Sequence, residues 1–160
     1  MATTRSDTDA CTFLDNDHKA VKRLFKTYDD LVHSRARGVE QKKLELANEI
    51  CQELTAHTTI EEEIFYPALR AALKETSALA EAEVEHAGAR ELMAQIEAMD
   101  TPDEMFDAKV KVLGEYIDHH IKEERNQIFP KARSLRVLDL VAMREEMQAR
   151  KEALMETEGV

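Results

Sequence analysis

Glycine and proline are scarce, at four and three in 160 residues. A chain with so few residues that turn or break a helix, and with Ala, Leu, Glu and Lys abundant, is expected to be all-helical. Cysteine is almost absent. Cys11 and Cys51 have no motif spacing, which argues against a disulfide scaffold or a thiolate metal site and leaves two small buried apolar residues in a reducing cytoplasm. Basic residues are in deficit, 22 Lys and Arg against 33 Asp and Glu, for a net charge of −11. Nucleic acid requires a basic stripe that this chain does not have, and an anionic membrane surface is disfavoured for the same reason. Long apolar runs are missing as well. Nothing approaches a membrane span, and MATTRSDTDAC lacks the apolar core of a signal peptide, so the expected location is the cytoplasm. The length suits a single domain over 1–160 with one core.

What is present is apolar periodicity at helical spacing. Phe13, Leu14, Val21, Leu24, Phe25, Tyr28 and Val32 define a first helix over about 12–32, with Gly38 as its stop. A second, about 39–73, places Leu44, Ala47, Ile50, Cys51, Leu54, Ile60, Ile64 and Phe65 on one broad face. Ser77 caps a third that runs to about 99. TPDE at 101–104 is the clearest boundary, with Thr101 as N-cap, Pro102 at the first helical position and Glu104 closing a capping box. The fourth helix runs to about 133, and a shorter fifth covers about 135–156. Pro67 and Pro130 fall inside helices two and four, where each is expected to bend or break its helix. Short connections predict an up-down-up-down antiparallel four-helix bundle over about 10–133. The C-terminal helix is free to cover the bundle or to form a dimer contact, leaving monomer and dimer both open.

The chain also repeats itself. HTTIEEEIFYP at 57–67 and HIKEERNQIFP at 120–130 share the His, the Glu four residues later and a closing aromatic–Pro pair. Upstream, DHKAVKRLF at 17–25 and EHAGARELM at 85–93 share an acid, a His, a small or apolar residue three later and a Leu six later. Two such helix pairs make a bundle with an internal pseudo-twofold repeat.

Residues i and i+4 of a helix lie about 40° apart and one turn along. His57 and Glu61 therefore share a face, as do His120 and Glu124. Leu54, Ile50 and Ile64 flank the first pair, and Ile117, Leu113 and Ile128 the second, so both point into the core. His18, among Leu14, Val21 and Phe25, and His86, among Ala82, Ala89 and Met93, face inward too. Burying two bare carboxylates costs several kcal/mol each without a cation. Imidazole with carboxylate suits iron, manganese or zinc, and a carboxylate has two oxygens with which to bridge a metal pair. A lone His-x-x-x-Glu is more often a hydrogen-bonded core pair than a site, but its duplication with two further inward histidines reverses that weighting. His33 sits in a polar helix end, and His119 is rotated about 100° from His120, so both read as bystanders. Glu62, Glu63, Glu123 and Arg125 read first as solvated flanks, with a contact that supports the ligands as the second reading, and the methionines read as core filling.

The order His18, His57-x-x-x-Glu61, His86, His120-x-x-x-Glu124, with DH at the start and the FYP and IFP endings, closely resembles the hemerythrin-like HHE cation-binding family over about 10–133. The resemblance implies a four-helix bundle holding two non-haem irons (Fe2+/Fe3+) with an oxo or hydroxo bridge. Those six residues would be the metal ligands, the glutamates bridging. Ferritin-like proteins use Glu-x-x-His instead, a different pattern. This chain also departs from the oxygen carriers of the family, which have a fifth histidine where Arg90 stands and an aspartate where Glu124 stands. It is closer to the bacterial and regulatory branch. Tyr116, one turn before His120, and Glu53, one turn before His57, are the polar candidates near the ligand pocket, with Arg90 at the open position.

The resemblance thus implies a protein that binds dioxygen, peroxide or nitric oxide, for sensing, storage or iron handling. A peroxide-decomposing, catalase-like enzyme is the alternative, and a structural helical bundle with incidental metal binding is the third reading. No nucleic-acid or membrane partner is expected.

Overall fold

The protein is described by a computed structural model covering residues 9–158. Among these residues the chain is all-helical, and no helix is long and apolar enough to cross a membrane. Helix α1, Ala10–Val32, starts two residues earlier than apolar spacing predicts, because the Asp9 carboxylate accepts from the Thr12 amide at 2.8 Å. Gly38, at φ 77°, occupies the N-cap position of α2, Val39–Ile60. It opens the second helix rather than closing the first, with a left-handed backbone that glycine adopts without strain.

Pro67 and Pro130 do not break their helices. Each follows a π-helical turn, Glu61–Phe65 and Glu124–Ile128, that continues into α3, Tyr66–Ala72, and α6, Phe129–Ser134. Within these turns the Tyr66 amide donates to the Glu61 carbonyl and the Phe129 amide to the Glu124 carbonyl, five residues back. Proline at the next position has no N–H to give, and its ring would crowd the carbonyl four residues back. One wide turn absorbs both problems. It also lets two consecutive residues face inward, Phe65 with Tyr66 and Ile128 with Phe129, all four buried.

Helix α4 spans Ser77–Glu97. Ser77 is its first residue rather than its cap, and its amide donates to the Glu75 carboxylate at 2.8 Å. Helix α5, Glu104–Glu123, is capped by Asp103, whose carboxylate accepts from the Phe106 amide at 3.0 Å. The capping box expected on Thr101 therefore does not form. The final helix, α7, Leu140–Glu158, begins five residues later than expected, where Asp139 accepts from the Ala142 amide at 2.9 Å.

Two apolar clusters fill the interior. Leu14, Phe65, Tyr66, Leu79, Phe129 and Met147 belong to one, and Val21, Tyr28, Ile50, Met93, Phe106 and Leu113 to the other. Along the chain, α1 passes from the first to the second, α2 with α3 returns, α4 passes to the second again, and α5 with α6 returns. Helix α1 packs on α2 and α5, and α4 packs on α5 and α2. Helix α7 lies over α1 and α2 and contributes Met143 and Met147 to the first cluster.

Candidate metal centre

A polar layer separates the two apolar clusters. Three rods change cluster around a histidine: His18 lies between Leu14 and Val21, His57 between Leu54 and Ile60, and His86 between Ala82 and Ala89. On the fourth the change falls between Ile121 and Ile128, around Glu124 and one turn after His120. The four imidazoles are buried, and Glu61 and Glu124 are each 0 % exposed. Both glutamates open a π turn, so the widened backbone begins at the carboxylates themselves.

The Nε2 atoms converge on these two carboxylates. Glu61 Oε1 lies 3.0 Å from His57, 3.3 Å from His86 and 3.9 Å from His120. Glu124 Oε1 lies 2.9 Å from His120 and 3.2 Å from His18. The donor atoms sort into two groups, His18, His57 and Glu124, and Glu61, His86 and His120. Each group draws its glutamate from the other half of the repeat, while that glutamate also touches the histidine one turn before it. Each of the two carboxylates therefore lies between the two groups.

Every Nδ1 faces outward and meets a carboxylate. His18 donates to Asp15 at 3.1 Å, His57 to Asp17 at 3.1 Å, His86 to Glu62 at 3.2 Å and His120 to Glu85 at 3.2 Å. A carboxylate can only accept, so the proton sits on Nδ1 and the Nε2 lone pair points inward. Three of these carboxylates are held by a permanent cation: Asp15 by Arg125 at 2.6 Å, Asp17 by Lys151 at 2.6 Å and Glu62 by Arg90 at 2.8 Å. The fourth, Glu85, has His119 at 3.5 Å instead. Among the described residues no Lys or Arg stands within ion-pair distance of it.

In the metal-free protein this layer holds its charge by taking up protons. Burial works against a charged His57, yet Glu61 and Asp17 outweigh it and push it up to about 10. Burial likewise opposes charge on His120, but Glu124, Glu61 and Glu85 raise it to about 12. Glu61 goes the other way: burial resists its ionisation, and the histidines hold it well below the usual carboxylate range. The fit to a metal rests on two atoms. His57 Nε2 and Glu61 Oε1 are buried without a hydrogen-bond partner although they lie 3.0 Å apart. With Nδ1 protonated, the space between the His57 Nε2 lone pair and the Glu61 oxygen calls for a cation, which is a proton in the metal-free fold and which a metal ion can replace.

All six residues expected as ligands come together, but the polar candidates do not. Tyr116 is 44 % exposed, and its ring packs over Gly88, with Cε1 3.4 Å from where a Cβ there would stand. The phenol at the centre is Tyr66, whose hydroxyl donates to Glu61 Oε2 at 3.1 Å and stands 3.4 Å from both Glu124 Oε2 and His120 Nε2. Its ring stacks on His86, as Phe129 stacks on His18, which gives the repeated aromatic–Pro ending its role. Helical geometry alone puts Tyr66 on the wrong face; the π turn brings it inward. Glu53 pairs with Lys151 at 3.2 Å, and Arg90 acts through Glu62 and Thr58 rather than filling an open position. Glu62 and Arg125, read as solvated flanks, orient His86 and His18. His33 is exposed and His119 is largely so.

Comparison with known proteins bears on the same residues. The model of the hemerythrin HHE cation binding domain matches residues 9–132. Among solved structures, the chain is similar to a hemerythrin HHE cation binding domain-containing protein from Mycobacterium kansasii, with 24 % identity, a TM-score of 0.75, and coverage of 93 % of this chain and 88 % of that one. At that identity the likeness speaks for the fold. No curated protein matches the chain. A match that runs from the cap of α1 into α6 and contains all six converging residues places the chain in the hemerythrin HHE cation-binding domain family.

Proposed function

We propose that this protein is a cytoplasmic di-iron protein that binds dioxygen or a related small oxidant. His18, His57 and Glu124 would hold one iron and Glu61, His86 and His120 the other, on the axis of an up-down-up-down bundle that forms one domain together with α7. The observation that carries this reading is the donor set: each group offers two imidazoles and one carboxylate, the set that non-haem ferrous sites use while keeping positions open. Two irons, when bound, would supply electron exchange and open coordination positions for a diatomic ligand. The chain's own part is to orient four imidazoles through their Nδ1 carboxylates, to exclude water with the two apolar clusters, and to hold a proton on Tyr66. An enclosed cavity of about 10 Å³, bounded by Val21, Leu54, Ile117 and Ile121 beside His57 and His120, leaves room for something about the size of one water. A reducing compartment suits the two free buried cysteines.

Elemental analysis of protein made with sufficient iron tests this, together with optical spectra before and after air, nitric oxide and peroxide. Close to two irons per chain and a spectrum that changes with the oxidant are expected. A protein that takes up one zinc tightly and no second metal would sink the reading.

Tyr66 favours a second reading, peroxide decomposition. Burial, then the charges of Glu124 and Glu61, raise its hydroxyl well above the ordinary phenol range, so it stays protonated as a donor beside the carboxylates. Rapid loss of peroxide in the presence of the iron-loaded protein would select this reading over reversible binding.

A further inference from the structure

The polar network around the centre includes one residue from beyond the stretch that matches the family, Lys151 of α7. Its Nζ donates to Asp17 Oδ1 at 2.6 Å and lies 3.2 Å from Glu53 Oε2. The other oxygen of Asp17 accepts from His57 Nδ1 at 3.1 Å. We propose that Lys151 is a positioning residue for His57, so that α7 completes the half of the centre formed by His18, His57 and Glu124. The half formed by Glu61, His86 and His120 is completed without it. The inference rests on the metal-centre reading above.

Three observations carry it. Lys151 does for His57 what Arg125 does for His18 and Arg90 for His86, yet it is the most sheltered of the three cations: its side chain is 21 % exposed, against 36 % and 40 %. Removing it strands two carboxylates, Asp17 and Glu53, at 10 % and 23 % exposure, where water replaces a lost charge poorly. Asp17 would then turn towards solvent, and the His57 ring would lose the contact that fixes its proton and its direction. The second observation is how α7 is seated. Its principal packing is on α1, α2 and the first π turn, with Met143 and Met147 in the end cluster and Arg150 gripping Glu63 at 2.7 and 3.1 Å. The third is the absence of an equivalent on the other side. Glu62 and Glu85, which hold His86 and His120, are served by Arg90 and His119 from α4 and α5.

The test is metal release into a chelator from the loaded full-length protein, followed with iron and, separately, with Co2+. Lys151→Met keeps most of the stem and removes the charge. It is expected to release half of the bound metal about tenfold faster or more, the scale on which partners of ligating histidines act, and the other half at the parental rate. Lys151→Arg should return release to within about threefold of the parent, and Arg150→Met, on the same helix, should match the parent. If Lys151→Met does not fold, Asp17→Asn is read in its place with the same split expected. Parental release from the folded variant, or equal acceleration of both halves, overturns the inference, because the second result would mean that α7 merely steadies the fold. A parent that loads Co2+ but no iron overturns the di-iron reading and leaves this test in force.

Discussion

Two histidines adjacent in sequence, His119 and His120, have opposite fates. His120 is buried with Nε2 on Glu124, while His119 stands outside and touches Glu85 and Glu123. His120→Ala or His57→Ala is expected to lose at least half of the bound metal and to lower thermal stability, because carboxylates stay buried around an incomplete site. His119→Ala should keep the full complement, as should His33→Ala. Equal loss from His119→Ala and His120→Ala, measured by elemental analysis, would overturn the assignment. The two tyrosines divide in the same way. Tyr66→Phe removes a hydrogen bond to a charged group, worth roughly 1.5–3 kcal/mol, so oxidant binding or peroxide turnover should change about tenfold or more. Tyr116→Phe should behave as the parent. The six converging residues were legible from sequence because each lies at helical spacing among apolar neighbours. Tyr66 was not, because one extra residue in a turn changes which side chains face the core.

The same lesson holds for whole elements. Apolar periodicity predicts every helix, but the ends depend on single hydrogen bonds that several residues compete to make. In TPDE the competition is won by Asp103, whose carboxylate takes the Phe106 amide, and not by Thr101. Asp103→Ala should therefore cost about 1 kcal/mol in denaturant unfolding, and Thr101→Ala within about 0.5 kcal/mol of nothing. A larger loss from Thr101→Ala would restore the capping box. The π turns were visible only as a warning. Proline in a helix signals a missing donor, but whether the chain breaks, bends or widens is decided by what the next residues can bury. Here Phe65, Tyr66, Ile128 and Phe129 fill the core between rods, and each side chain of that kind contributes roughly 1.5–3 kcal/mol towards keeping the rod continuous.

For the molecule as a whole, the metal-free and loaded forms should differ in how they respond to pH. His57 and His120 are raised from an ordinary 6.5 to about 10 and about 12 in the metal-free fold. A raised folded value means that the stabilisation is fully present below pH 6.5 and is lost as pH climbs through 10. Glu62 is lowered to about 2: burial resists its ionisation, but His86 and Arg90 prevail, so its contribution is present above 4.5 and fades as pH falls towards 2. Thermal unfolding of the metal-free protein should therefore be most favourable to the fold between about 4.5 and 6.5, with a decline on the alkaline side. Loading should remove that decline, since a bound cation replaces the protons. Uptake near pH 7 should release protons into weak buffer, and affinity should fall on acidification. A loaded protein that loses stability between pH 6.5 and 10 as steeply as the metal-free form would contradict this account of the charge balance.

By itself, the sequence determined the helical class, the internal repeat and the six converging residues. These depend on local spacing, and a helix turns spacing into direction without help from the rest of the chain. Tertiary structure alone decided which groups serve those residues. In a one-dimensional reading Asp15 and Glu62 are ordinary surface acids, and Asp17 and Glu85 are no more than the acid that precedes a histidine in each repeat. Asp17, Glu62 and Glu85 become the partners of buried histidines only because rods far apart in sequence meet, and Asp15, three residues before His18 on the same helix, gains its cation in that way from Arg125. The place of α7 was decided in the same way. Its methionines fit a gap that exists only between packed rods, and its lysine finds two carboxylates that no spacing along the chain could have paired with it.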